Sequence, residues 1–155
     1  MEQKTIVKAD EGKQELLITR EFDLPLALLF KAFEDPNLIE QWMGTKVLKL
    51  ESKSHGAYRF ETTDAKGKVV FKVNGVIHSF VQDQKITRTF EMENTPYGVQ
   101  LEILDFAKLT DSASKLTMHT IYESVEIRDK VLKLPFAQGI NWAHNRLQEI
   151  FNNLK

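Results

Sequence analysis

The chain has 155 residues, 28% charged and 42% hydrophobic, with a net charge of −1 and no cysteine, the balance of a single globular domain whose core is large enough to hold without staples. The missing cysteines exclude disulfides, a thiol nucleophile, an iron–sulfur cluster and a cysteine-based zinc site. Twenty-one basic residues stand against twenty-two acidic ones with no basic run, so a nucleic-acid partner is not expected.

The opening residues Met1-Glu2-Gln3-Lys4 lead into a polar segment rather than an apolar core with a cleavage site, so no secretory signal is expected. The longest apolar run, Leu26-Ala27-Leu28-Leu29-Phe30, is far short of the roughly 18–20 residues of a membrane span. With no Asn-x-Ser/Thr acceptor either, a cytoplasmic protein is expected.

Residues 5–9 and 13–22 flank the turn Asp10-Glu11-Gly12 and form a hairpin or one long first strand with a break. Pro25 sits at the opening of a short helix, where its missing N–H costs nothing. That helix carries Leu28, Leu29 and Phe33 and stops at Glu34-Asp35-Pro36. Asp35 caps a second short helix that starts at Pro36 and ends near Trp42-Met43-Gly44.

From residue 47 to residue 122 the apolar period switches to two, the pattern of antiparallel strands with one buried face. Turns at 64–68, 82–83 and 93–98 set Phe60 against Phe71, Tyr58 against Val73, Ser79 against Ile86, Ile77 against Arg88, Gly75 against Phe90 and Val73 against Met92. They then set Phe90 against Leu101, Arg88 against Ile103 and Ile86 against Asp105. A last strand pairs Met118 with Ala107, Thr120 with Asp105 and Tyr122 with Ile103. The inward set is therefore Tyr58, Phe60, Phe71, Phe90, Met92, Leu101, Ile103 and Met118, interrupted by the polar Arg88, Asp105, Thr120 and Tyr122.

After a polar stretch over 126–133, Pro135 opens a final helix. Its Phe136, Ile140, Ala143, Leu147, Ile150 and Leu154 recur at steps of four and three, one apolar stripe laid across the sheet. Trp142 falls off that stripe and is expected on solvent or on a partner subunit, which leaves a homodimer open.

A strand, two short helices, a long antiparallel run and a C-terminal amphipathic helix resemble the α+β helix-grip fold of the birch-pollen-allergen and START-like superfamily (SRPBCC). Within it, Ile18-Thr19-Arg20-Glu21-Phe22-Asp23-Leu24-Pro25, Phe33-Glu34-Asp35-Pro36 with Leu38 and Gln41-Trp42, Gly75-Val76 and Arg146-Leu147-Gln148-Glu149-Ile150 resemble the bacterial relatives of the C-terminal domain of the activator of the heat-shock-protein-ninety ATPase (AHSA type). The likeness covers residues 15–154. Met43, the turn Ser54-His55-Gly56 and Ile140 depart from the usual pattern, and Arg88 stands where an apolar or aromatic residue is usual. The resemblance implies a pocket between the sheet and the last helix, but no single ligand or reaction.

The seven glycines lie too far apart for a dinucleotide fingerprint, a phosphate loop or a Gly-x-Ser-x-Gly elbow. His55, His78, His119 and His144 offer no pair at metal-ligand spacing, so neither metal nor cofactor is expected; His78 and His119 are expected outward, in solvent. The inward apolar residues are either a solid core or, with Phe136, Ile140 and Trp42 at the mouth, the wall of a cavity. Arg88 either bridges to Asp105, with Thr120 nearby, or offers its guanidinium to an acidic ligand.

The expected function is non-enzymatic binding of a hydrophobic or amphipathic small molecule. An aromatase/cyclase-like or hydrolytic enzyme would need a base or acid in that pocket, for which Asp105, Tyr122 and Arg88 are the candidates. Co-chaperone action is implied by the family resemblance alone, and 155 residues are expected to leave no room for the second domain such an activator carries.

Overall fold

The computed structural model describes residues 4–154. The signal reading on Met1-Glu2-Gln3 and the last member of the helix stripe, the side chain of Leu154, lie outside the described residues. Strands β1 (Ile6–Lys8) and β2 (Glu15–Phe22) form the opening hairpin. Helices α1 (Leu26–Glu34) and α2 (Pro36–Met43) follow, then the strands β3 (Lys46–Leu50), β4 (Ala57–Thr63), β5 (Val69–Val81), β6 (Lys85–Met92), β7 (Val99–Thr110) and β8 (Ala113–Ile121). Helix α3 (Val125–Leu132) leads to α4 (Phe136–Leu154). The eight strands make one antiparallel sheet in the order β1-β2-β8-β7-β6-β5-β4-β3, in which β2 pairs with β8.

The two short helices are set by their termini. Asp35 Oδ1 accepts from Asn37 N at 2.8 Å and Leu38 N at 3.4 Å, capping α2 directly ahead of Pro36. The helix ends where Gly44 takes φ +65° and returns its N–H to Glu40 O, a left-handed cap that a Cβ would strain. Trp42 is then fixed by its indole N–H, which donates to Ala32 O at 2.8 Å.

Helix α3 overlaps the polar stretch expected over 126–133. Ser124 caps it by accepting from Ile127 N, and the inward slot next to Val131 is taken by Arg128, which is 3% exposed. Arg128 Nη1 donates to Asp10 O at 2.6 Å and Glu15 O at 3.3 Å, and the guanidinium pairs with Asp129. A charge in an apolar slot flattens the helical pattern, which is why the sequence reads there as loop.

Bulges make the strand register differ from a simple alternation. One between Thr62 and Thr63 puts Tyr58 opposite Gly75, Phe60 opposite Val73 and Thr62 opposite Phe71, two residues from the expected pairing but on the same face. Val73–Met92 and Ile77–Arg88 pair as expected, while a bulge between Ile77 and Ser79 brings Phe80, not Ser79, opposite Ile86.

The β6–β7 pairing differs in kind. Phe90 faces Gln100, Arg88 faces Glu102 and Ile86 faces Leu104, a one-residue slip that turns β7 over. The apolar residues of β7 change parity midway, with Leu101 and Ile103 on one face and Leu104 and Phe106 on the other. The core takes Leu104 at 0% and Phe106 at 6% exposure, and Glu102 goes in with them. Asp105 and Ile103 therefore stand on the outer face, and the expected Arg88–Asp105 bridge does not form. A second odd shift, Glu102–Thr120, Leu104–Met118 and Phe106–Leu116, returns β8 to the expected side.

Gly75 shows how closely the sheet is packed. A Cβ there would lie 2.1 Å from Thr89 O and 2.5 Å from the Tyr58 ring, whose hydroxyl donates to the same Thr89 O. The ring that covers this glycine is thus Tyr58 rather than Phe90. Gly75→Ala should lower unfolding free energy by about 1–3 kcal/mol or more in urea melts, and a loss below ~0.5 kcal/mol would show that β5 and β6 separate easily at this point.

Candidate functional site

A cavity of about 270 Å³ lies between the inner face of the sheet and α4. At ~30 Å³ per water that is space for roughly nine molecules, well beyond a packing defect. Its walls are mainly apolar: Phe33 from α1, Trp42 and Met43 from α2, Val131 and Leu134 near the end of α3, Phe136, Ile140 and Ala143 from α4, and Ile18, Phe90, Met92, Tyr97 and Met118 from the sheet and its β6–β7 hairpin.

Of the residues singled out from sequence, Trp42, Arg88, Phe90, Met92, Met118, Thr120, Tyr122, Phe136 and Ile140 converge on this space. Tyr58 and Phe60 are buried in the core with their rings tilted against each other at 5.1 Å, Phe71 is exposed near the β4–β5 turn, and Ile103 and Asp105 face away. Gln100, Glu102 and His144 were not among the candidates. Glu102 sits between Leu101 and Ile103, so it reads as a solvent residue unless the register is known. His144 had a visible signal, because Ile140, His144, Leu147 and Phe151 recur at steps of four, three and four.

The polar floor is one row running across three strands. Arg88 on β6 pairs with Glu102 on β7, which pairs with Thr120 on β8. The neighbouring row, Ile86–Leu104–Met118–Ile18, is wholly apolar. Arg88 Nε donates to Glu102 Oε1 at 2.9 Å, Gln100 Nε2 donates to Glu102 Oε2 at 2.8 Å, and the guanidinium lies 5.2 Å from the Tyr58 ring centroid. Burial works against the charge on Arg88, yet with the Glu102 carboxylate and Tyr58 alongside, its pKa lies above the ordinary value. Burial, then the Glu102 charge, push the Tyr122 hydroxyl up, so it remains a proton donor throughout the neutral range.

On the helix side, His144 is 2% exposed and its Nδ1 meets Thr5 Oγ1 at 2.7 Å. Arg20 Nη1 reaches the same hydroxyl and Asn141 Oδ1, both at 3.3 Å. Burial first, and the Arg20 charge second, lower the imidazole pKa from 6.5 to about 3. The folded protein therefore keeps His144 neutral while the unfolded chain protonates below pH ~6.5, so stability falls as the pH drops from there toward 3. Between pH 7 and 5 His144 should account for a loss of about 1–2 kcal/mol, absent in His144→Gln. Urea melts of both proteins at the two pH values check this, and identical pH dependence would refute it.

Among the described residues no three His, Asp or Glu side chains cluster as a metal site would require, and no helix is long and apolar enough to cross a membrane.

The fold recurs in solved structures. Protein Ms6760 from Mycobacterium smegmatis superposes with a TM-score of 0.83 at 22% identity, covering 95% of this chain and 96% of that one. A protein from Arthrobacter aurescens gives 0.84 at 16% identity over 96% and 91%. PFC0360w, described as an HSP90 activator from Plasmodium falciparum, gives 0.64 at 18% identity over 90% and 96%. At these identities the likeness is one of fold. No curated protein matches the sequence. The model of one family, however, matches residues 23–152, which span α1 through nearly all of α4, and the chain therefore belongs to the Activator of Hsp90 ATPase homolog 1-like family.

Proposed function

We propose that this protein binds a hydrophobic or amphipathic small molecule in the cavity between sheet and α4, without chemical turnover. One observation carries the reading: a 270 Å³ space with apolar walls and a single polar row on its floor, the composition typical of small-molecule sites. Turnover has little to work with. Asp105 is outside, Glu102 is held by Arg88 and Gln100, a tyrosine raised by burial is a poor base, and so is the His144 imidazole, lowered by burial to about 3.

Titrating isotope-labelled protein with a panel of acyl and aromatic amphiphiles tests the reading. Shifts should concentrate on the Met92, Met118 and Ile140 methyl groups and on Trp42, with every added compound recovered unchanged. Shifts confined to exposed residues would overturn it.

Family membership and the fold likeness to the Plasmodium activator favour a second reading, co-chaperone-like regulation of a heat-shock ATPase. Stimulation of such an ATPase by the purified protein, undiminished when the cavity is filled by Ala143→Phe, would support this second reading over the first.

A further inference from the structure

Among the described residues, the charged group with the most unused hydrogen-bonding capacity at the cavity is a cation. Arg88, 8% exposed, directs only Nε to Glu102, and neither Nη finds an acceptor among the described residues. The hydroxyls of Thr120 and Tyr122, each on a residue 2% exposed, likewise make no hydrogen bond among the described residues, and both side chains border the cavity, where a hydroxyl can donate or accept. Glu102, the only carboxylate lining it among the described residues, already accepts from Arg88 on one oxygen and from Gln100 on the other.

The opposite wall adds His144, whose Nδ1 lies 2.7 Å from Thr5 Oγ1 and whose Nε2 has no partner among the described residues.

We propose that the occupant of this cavity is an amphiphile with a carboxylate head, bound by the Arg88 Nη groups with the Tyr122 and Thr120 hydroxyls, its apolar body lying along Phe90, Met118 and Ile140. The assignment rests on the binding reading above and specifies its ligand class. An amine head would face the Arg88 cation and would have to rely on hydroxyls and the Gln100 amide oxygen as acceptors. An alcohol satisfies few of the donors, whereas a carboxylate matches the guanidinium fork and accepts on both oxygens. The Arg88–Glu102 pair keeps the guanidinium in place before the ligand arrives, so little ordering remains to be done on binding.

Decanoate, decanol and decylamine, titrated into labelled wild-type protein and followed by calorimetry, test the assignment. Decanoate should bind about ten- to a hundredfold tighter than decanol, the range of a charge-assisted hydrogen bond, and decylamine more weakly than either. The carboxyl carbon of ¹³C-labelled decanoate should titrate at lower pH when bound than when free. In Arg88→Met/Glu102→Gln the preference for decanoate should vanish while decanol affinity is kept. Should that variant fail to fold, the affinity ratio and the carboxyl titration in the wild type decide alone. Equal or tighter binding of decanol, or a bound carboxyl that titrates above the free acid, overturns the carboxylate assignment and leaves the cavity reading standing. If none of the three probes shifts a cavity signal, the binding reading fails, and this assignment with it.

Discussion

Leu147→Asp should leave the chain without a cooperative unfolding transition at neutral pH. Leu147 is fully buried at the centre of the α4 stripe, so the change forfeits roughly 1.5–3 kcal/mol of apolar burial. It also sets an unpaired carboxylate against the core, which costs several kcal/mol more. Set against a total of roughly 5–15 kcal/mol, the sum reaches or exceeds the stability of a domain this size. Ile150→Asp, on a half-buried residue, should destabilise less. Trp142→Gln should change stability by no more than ~0.5 kcal/mol, because Trp142 is 58% exposed. Far-UV circular dichroism in urea separates the three, and a Leu147→Asp melt within 1 kcal/mol of wild type would mean that α4 does not close the core.

The helices were legible where termini and stripe agree, as at Asp35-Pro36, at Gly44 and along Ile140 and Leu147. Helix α3 was not, since Arg128 fills a slot that a pattern search reserves for an apolar side chain. In the sheet, period-two alternation gives the face of each strand only while the turns keep an even register. The β6–β7 and β7–β8 turns each shift by an odd number, so alternation alone gives the wrong face for β7, while β8 comes right because the two shifts cancel. That single inversion exchanged Glu102 for Asp105 as the partner of Arg88, and it hid Gln100. Arg88 itself was readable, because its inward parity depends on its own strand and on Ile77 opposite it. The cavity needed coordinates. Phe90, Met118 and Ile140 would have the same composition in a solid core, and only the spacing between α4 and the sheet separates the two.

Arg88→Met should destabilise the protein by about 3–5 kcal/mol, because it strands a carboxylate that is 6% exposed and takes its charged partner, 2.9 Å away, out of the core. The methionine fills comparable volume at no desolvation cost, so the loss belongs to Glu102 rather than to packing. Glu102→Gln added to Arg88→Met should recover much of it, since a neutral amide tolerates burial once hydrogen-bonded and Gln100 remains close enough to bond it. Asp105→Asn, on the outer face, should do nothing in either background. Urea melts of the single and double variants give the coupling directly, and an energy near zero between positions 88 and 102 would show that the pair contributes nothing to stability. The sign of Arg88→Met also bears on why a charge stands among apolar residues at all. A buried pair rarely improves on well-packed apolar side chains, so if the doubly neutral variant proves as stable as wild type, Arg88 and Glu102 are dispensable for folding, and the open Nη groups facing the cavity are what that position supplies.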